Sequence, residues 1–320
     1  INASTHGGTI KKHASVDNLT LRNCIIKDNV SRNFCAGLNA EFDLANRNGN
    51  RGSLVIDRCQ FTNNMSRIGS GVYFRVGPST NVDLTVTNSV FDHNLAGDLN
   101  TTNAKGFAGS AMWIRTAGND SDANYNLYNN TFVNNRDIGE PTSDDRFRAP
   151  VIMANHGNFS NNIANAIVAN CIFWNNTGLG DHSSTGGLTR AISDMHGTPI
   201  TSLNVYNSLD PLNFVEGSIT SSVNTITTDP LFTDIASRDY SLTASSPVVD
   251  SGDTSYSFGT KDILGHQRIF NTIIDLGAYE FGSSILGLQN LVKIEGLKVY
   301  PNPTRGNLTF ISKEEVKKID

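Results

Sequence analysis

Charged side chains are scarce in this chain. Asp, Glu, Lys and Arg make up 17% of its 320 residues, and the net charge is -5. A basic stripe that displaces counterions from phosphates is absent, so we expect no nucleic-acid partner. No apolar run approaches the roughly 18 residues of a membrane span, and we expect no membrane span. Asn, Ser, Thr and Gly are plentiful instead, which is typical of an all-β, turn-rich protein.

Cysteine is also rare, with four residues. Cys24, Cys59 and Cys171 occupy the same position of the repeat described below, where they can act as stacked small side chains. Buried cysteine behaves as a small hydrophobe. Free thiols are therefore favoured over disulfides, which stay the alternative for a secreted protein.

A short phrase recurs along the chain: RCQFTNN (58–64), NSVFDHN (88–94), NNTFVNN (129–135) and NCIFWNN (170–176). The last large apolar residue of each copy is its anchor. The anchors are Ile26, Phe61, Phe91, Phe132 and Phe173, with Asp210 in a weaker sixth copy. Apolar and polar residues alternate before each anchor, which predicts a strand with one buried face. Such a unit cannot bury that face alone, so stacked copies predict a solenoid.

Asparagine follows each anchor by three residues, at Asn29, Asn64, Asn94, Asn135, Asn176 and Asn213. Asparagine tolerates the left-handed conformation of tight turns. Equivalent residues of stacked coils lie about 4.8 Å apart, so these amides can also form a hydrogen-bonded ladder. Several asparagines begin N-glycosylation sequons, which is the alternative: Asn29, Asn64, Asn129 and Asn175. We favour the ladder because the asparagines follow the repeat rather than the sequon.

A second strand lies between successive phrases, because GSGVYFR (69–75) matches GSAMWIR (109–115) position for position. If Val72 and Phe74 point inward, the outward residues are Tyr73, Arg75, Trp113 and Arg115. Aromatic faces stack on sugar rings, and arginine binds carboxylates bidentately. These four residues are the candidate glycan-binding site, with ring faces expected to be partly exposed. The alternative is a Tyr–Trp stack covered by a loop, with the arginines paired to Asp43 or a loop acid.

The F-x-x-N phrase with its following Gly/Ser-Gly/Ala-apolar strand resembles the repeats of right-handed parallel β-helix proteins. Polymorphic outer-membrane-protein-like surface proteins are among them. The resemblance covers residues 1–213 and implies a right-handed parallel β-helix (solenoid). It does not specify a function, because such proteins include polysaccharide lyases, glycoside hydrolases and adhesins. From the outward aromatic and arginine residues we favour a glycan-binding or adhesive surface protein, with a polysaccharide lyase or glycoside hydrolase, or a structural surface spacer, as alternatives. No motif identifies catalytic residues, so these stay unknown.

Residues 214–281 contain the phrases TDPLFTD (228–234), DYSLTASSPVVDSGD (239–253) and IDLGAYEF (274–281). They resemble the C-terminal segment of bacterial β-helix surface proteins of the choice-of-anchor type, which implies final rungs and a cap. Its acidic residues offer oxygen ligands for Ca²⁺: Asp250, Asp253, Asp262, Asp275 and Glu280. Their spacing is not that of a contiguous metal loop, so capping of turn amides is favoured and no cofactor is expected.

A linker over 282–292 leads to YPNPTRG (300–306), whose distinctive residues are Tyr300, Pro301, Asn302, Pro303, Thr304 and Gly306. This motif resembles the start of the C-terminal sorting domain of type IX secretion substrates in Bacteroidota. It implies a secreted or cell-surface protein, the type IX machinery as partner, and a small β-sandwich over 293–320. Such a domain normally needs several further strands, so we expect it to be incomplete at Asp320. The chain opens without a signal peptide, so we expect a leader and further fold before Ile1.

Overall fold

A computed structural model describes residues 10–13, 18–31, 35–42, 51–97, 109–137, 151–157, 160–178, 191–197, 201–210, 215–216, 219–283, 298–300 and 309–311. The chain divides into two compact units, Ile1–Ser284 and Ile285–Asp320. The division falls inside the segment predicted as a linker. Regular structure in the described residues is almost entirely β-strand, and none of their helices is long and apolar enough to cross a membrane.

The first unit is a parallel β-solenoid whose coils run through four sheets. Sheet 1 contains Ile10–His13, Leu38–Phe42, Val72–Val76, Met112–Thr116, Ile152–Gly157, Ile192–Gly197 and Val215–Glu216. Sheet 2 contains Asn18–Arg22, Gly52–Asp57, Asn81–Thr87, Asp122–Tyr128, Ile163–Ala169, Ser202–Tyr206 and Ile219–Val223. Sheet 3 contains Ile25–Lys27, Gln60–Thr62, Val90–Asp92, Thr131–Val133 and Ile172–Trp174. Sheet 4 contains Met65–Ser66, Leu95–Ala96, Arg136–Asp137 and Thr177–Gly178.

Sheet 3 carries the anchor residues, and its register confirms their alignment. Ile26, Phe61, Phe91, Phe132 and Phe173 are successive partners in neighbouring strands. The centroids of the four phenylalanine rings are 4.9, 4.9 and 4.8 Å apart, with near-parallel planes. The rings therefore form one continuous stack inside the solenoid, where inward residues of sheets 1 and 2 complete the core.

The asparagine ladder is confirmed over five coils. Each side-chain amide donates from Nδ2 to Oδ1 of the equivalent asparagine in the next coil. The four distances are 2.9, 3.0, 3.0 and 3.0 Å along Asn29, Asn64, Asn94, Asn135 and Asn176. From Asn64 onward, Nδ2 also donates to the anchor carbonyl of the preceding coil. Since Asn64 is fully buried and bonded in this way, the sequon explanation does not hold there.

The turns on either side of sheet 3 adopt the left-handed conformation, but the ladder asparagines three residues after each anchor do not. Residues three before each anchor have φ between 43° and 55°: Asn23, Arg58, Asn88, Asn129, Asn170 and Asn207. Residues two after each anchor have φ between 51° and 58°: Asp28, Asn63, His93, Asn134 and Asn175. A non-glycine residue with positive φ is uncommon, and Asn, Asp and His are enriched there.

Residues 229–283 form a strap on the outer side of sheet 3. The strap contains an antiparallel hairpin, Phe232–Asp234 with Asp239–Leu242, and a 3₁₀ turn at Thr254–Tyr256. It packs on outward apolar residues of several coils: Val90, Val133, Ile172 and Leu209. At Gly277 (φ 83°) a Cβ would lie 2.7 Å from the side chains of Thr131 and Ile172. The residues expected to cap the end of the solenoid lie along its side instead.

Left-handed asparagines hold the strap in place through their side chains. Asn170 donates to the carbonyl of Asp253 at 2.9 Å and accepts from the amide of Asp253 at 2.9 Å. Asn88 and Asn129 donate to carbonyl oxygens of Phe258 and Asp275 at 3.1 and 3.2 Å. This column of asparagines therefore has a different role from the ladder: it docks the C-terminal segment.

The second unit is described only at two strands. Lys298–Tyr300 pairs antiparallel with Thr309–Ile311, with Val299 opposite Phe310. Tyr300 thus ends a strand, while Pro301, Asn302, Pro303, Thr304 and Gly306 lie outside the described residues. The β-sandwich stays a prediction.

Candidate functional site

The outer face of sheet 1 brings the four predicted site residues together. Tyr73 is the register partner of Trp113, and Arg75 is the partner of Arg115. The ring centroids of Tyr73 and Trp113 lie 4.8 Å apart with a 44° tilt. The predicted neighbourhood of these residues is confirmed, since alternation along a strand places every second side chain on the same face.

The expected exposure of the two rings is wrong. Tyr73 is 4% exposed and Trp113 is 5% exposed, so neither ring face is open to stack on a sugar. The alternation of the sequence shows which side of the sheet a residue occupies, but not what covers that side. Burial raises the pKa of the Tyr73 hydroxyl to about 12, although the nearby Arg115 guanidinium lowers it. The two rings instead form a buried aromatic layer beside the arginines.

Arg75 and Arg115 stay partly open. The Arg75 side chain is 25% exposed, and its Nη1 lies 3.8 Å from Oε2 of Glu41. Burial lowers the pKa of Arg75, and Arg115 lowers it further, whereas Glu41 raises it. Glu41 is the register partner of Arg75 one coil below. From the sequence we expect Asp43 or a loop acid as the partner of Arg75. The structure instead places Glu41 beside it, at the equivalent outward position one coil below.

Arg115 packs against the Trp113 ring, and one of its guanidinium donors, Nε, has no hydrogen-bond partner among the described residues. Its Cζ lies 5.5 Å from the centre of the Trp113 ring, a distance at which a cation is attracted to the ring face. Its Nε is buried, and within the part of the chain that the structure describes it has no hydrogen-bond partner. Because this Nε is buried, an acceptor from solution can reach Arg115 only through the exposed part of its side chain.

The strand register extends this column in both directions. His13 pairs with Glu41, Arg115 with Asn155, and Asn155 with His196. Backbone positions of ionisable or amide residues thus follow one another along the solenoid axis on sheet 1.

Acidic side chains of the strap accept hydrogen bonds from backbone amides of its own turns. Asp262 Oδ1 accepts from the amides of Leu264 and His266 at 3.0 and 2.7 Å. Asp275 Oδ1 accepts from the Asp250 amide at 2.7 Å. Glu280 accepts from backbone amides through both oxygens. In the described residues no group of three or more His, Cys, Asp or Glu side chains is placed to hold a metal ion.

Comparison with known proteins gives no match among family models, curated proteins or solved structures. The assignment of a parallel β-solenoid therefore depends on the observed strand pairing alone. The likenesses to polymorphic outer-membrane-protein-like proteins, to choice-of-anchor segments and to type IX substrates stay predictions.

Proposed function

We propose that this protein is a secreted or cell-surface β-solenoid that binds acidic polysaccharide through Arg75 and Arg115. The observation that carries the proposal is the pair of neighbouring, partly exposed arginine side chains on the outer face of sheet 1. Carboxylate and sulfate oxygens accept two parallel hydrogen bonds from one guanidinium. An acidic sugar would add such an acceptor and would reduce the repulsion between the two cations.

Tyr73 and Trp113 have a positioning role in this proposal. Their buried rings exclude water beneath the arginines, and an ion pair is stronger where the effective dielectric constant is lower. Trp113 also lies against Arg115, so an anion bound there changes the field at the indole.

A fluorescence titration tests this proposal. In a Trp174→Phe background, which leaves Trp113 as the tryptophan, an acidic oligosaccharide such as oligogalacturonate should shift the emission. Arg115→Ala should weaken binding roughly tenfold or more, since hydrogen bonds to charged groups contribute about 1.5–3 kcal/mol. Added salt should weaken the binding of the parent as well, because it screens partly exposed charges.

Arg136→Ala is the matched control, because Arg136 is an exposed arginine on sheet 4 and its loss changes the net charge equally. Equal affinity losses in Arg136→Ala and Arg115→Ala would contradict the site. A neutral oligosaccharide that binds as tightly as the acidic one would contradict the charge-based recognition.

An enzymatic alternative is favoured by one observation. The Glu41 carboxylate, 9% exposed, lies beside Arg75 and on the same face as the Tyr73 hydroxyl. A buried acid next to an arginine is an arrangement from which a polysaccharide lyase or glycoside hydrolase can be built. If the protein releases unsaturated uronate products or reducing ends, and Glu41→Gln abolishes that release, then the protein is an enzyme rather than a binding protein.

The export route is also a proposal. The Tyr300–Gly306 motif supports type IX sorting in a bacterium of the Bacteroidota, with the solenoid displayed at the surface; a structural spacer is the simplest version of that role.

We also propose that the solenoid coils are right-handed, since strand–crossover–parallel strand connections are right-handed in about 98% of cases.

The export route can be tested with a fusion protein. A complete sorting domain that begins with the Tyr300–Gly306 motif should direct a periplasmic reporter to the cell surface in a type IX-competent host. The same fusion carrying Tyr300→Ala, Pro301→Ala and Gly306→Ala is the control, and periplasmic retention of the unmutated fusion would contradict the assignment.

A further inference from the structure

The residues two positions before each anchor occupy equivalent places in successive coils, so they form a column of their own at the turn into sheet 3. Its members are Cys24, Cys59, Ser89, Asn130, Cys171 and Ser208. All the cysteines and serines of this column donate to the carbonyl oxygen two residues earlier. Cysteine and serine are therefore interchangeable here as small side chains that satisfy a turn carbonyl.

Two cysteines are neighbours in this column at one place, between the first and second coils. Gln60 donates its amide to the carbonyl of Cys24 at 2.8 Å, which fixes Cys24 and Cys59 side by side. Cys171 lies instead between Asn130 and Ser208. Cys35 lies at the start of a sheet 1 strand, where its thiol donates to the Leu38 carbonyl at 2.9 Å.

The four thiols differ in access. Cys24 is half-buried, whereas Cys35, Cys59 and Cys171 are fully buried. Burial raises the pKa of each of these three thiols to about 12. The thiolate is the nucleophile in thiol–disulfide exchange, so Cys24 is the thiol that a reagent from solution reaches first.

We propose that Cys24 and Cys59 are a redox-sensitive pair that forms a disulfide and staples the first coil to the second. Equivalent residues of neighbouring parallel strands are about 4.8 Å apart. Disulfides join Cα atoms that are about 4.4–6.8 Å apart. Each sulfur gives up a 3.4 Å hydrogen bond to a carbonyl when it turns toward its partner, and such S–H donors are weak.

The oxidant is a small disulfide such as oxidised glutathione, or a thiol–disulfide oxidoreductase. The Cys24 thiolate attacks the external disulfide, forms a mixed disulfide and releases one thiol. The Cys59 thiolate then attacks the Cys24 sulfur and expels the second thiol. One external disulfide is reduced to two thiols, and two protein thiols lose their protons and become one disulfide.

The staple would act at an exposed part of the solenoid. Ile25 and Val30 in the first coil are 63% and 56% exposed, whereas Val90 and Ile172, which are equivalent to Ile25 in later coils, are buried. A link between Cys24 and Cys59 closes a 35-residue loop, and a closed loop restricts the unfolded chain. The oxidised protein should therefore resist fraying of its first coil.

Treatment of the native protein with oxidised glutathione, followed by alkylation in denaturant and peptide mapping, tests the pair. We expect a Cys24–Cys59 cross-link, alkylated Cys35 and Cys171, and reversal by dithiothreitol. Amide hydrogen exchange at Asn18–Lys27 should be slower in the oxidised form than in the reduced form.

Cys59→Ser is the matched control, because serine occupies the equivalent position at Ser89 and Ser208. In this variant Cys24 should stop at the mixed disulfide with glutathione, whereas Cys171→Ser should keep the cross-link. The proposal is overturned if the unmodified chain also stops at the mixed disulfide, or if Cys24 does not react.

Discussion

Phe132→Ala should lower the free energy of unfolding by about 3–5 kcal/mol, as the deletion of a buried phenylalanine does. Phe132 is fully buried between Phe91 and Phe173, with ring centroids 4.9 and 4.8 Å away. Main-chain hydrogen bonds fix both neighbouring strands, so the coils cannot move together to fill the cavity. Urea denaturation followed by circular dichroism measures the loss.

Phe281→Ala is the matched control for the same deletion, because Phe281 is 37% exposed at the end of the strap. Its cost should stay below about 1 kcal/mol, in the range of surface substitutions. A similarly small cost for Phe132→Ala would contradict the continuous phenylalanine stack as the core of the solenoid.

The stack could be predicted from sequence because each anchor lies at a fixed distance from a strand and an asparagine. Loops of variable length change the period without changing this local phrase. The ladder through Asn94 and Asn135 follows from the same regularity, since an amide at equivalent turns has both a donor and an acceptor for the next coil. Sheet 4 was not foreseen, because its strands have two residues and leave no alternation to detect.

At the candidate site, sequence predicts neighbours but not cover. Period two places Tyr73 beside Trp113 and Arg75 beside Arg115, and the register agrees. Exposure depends on segments far along the chain, to which a local pattern is insensitive. For the same reason, local patterns did not predict that the strap covers the outer side of sheet 3. A usable signal was present in Val90, Val133 and Ile172, whose outward positions are apolar: a strand that is apolar on both faces is covered on both.

Arg268→Met should be the most damaging substitution in the strap, at about 3–5 kcal/mol, the cost of removing one partner of a buried ion pair. Arg268 is 1% exposed and donates to the carbonyl oxygens of Gly277 and Asp275 at 3.0 and 2.8 Å. Its Nη2 lies 3.2 Å from the equally buried Glu280 carboxylate. Methionine fills much of the volume, so the loss reports on the charge left behind at Glu280 and on the two carbonyl oxygens that lose their donor.

The pH dependence distinguishes this charge from packing. Burial raises the pKa of Glu280 from 4.5 to about 7, against the lowering effect of Arg268. Without Arg268 that lowering effect is lost and the pKa rises further. A carboxyl whose pKa is higher in the folded state stabilises the fold below its unfolded pKa and loses this contribution as pH rises. The cost of Arg268→Met should therefore be smaller near about pH 5 than near about pH 8, while the loss of the two carbonyl hydrogen bonds contributes at both pH values.

The double variant Arg268→Met/Glu280→Gln completes the test, because it removes both charges and the titrating group. It should be less destabilised than Arg268→Met at about pH 8 and should show less of the additional pH dependence; Asp275 keeps a part of it, because Arg268 also lowers the pKa of that carboxyl. Hydrogen exchange should locate the loss in strap amides such as Asp275 and Glu280, while the strand Thr131–Val133 stays protected, because the ladder and the phenylalanine stack hold the solenoid independently. A cost that is the same at both pH values, or equal in the single and double variants, would show that packing rather than the Arg268–Glu280 pair fastens the strap.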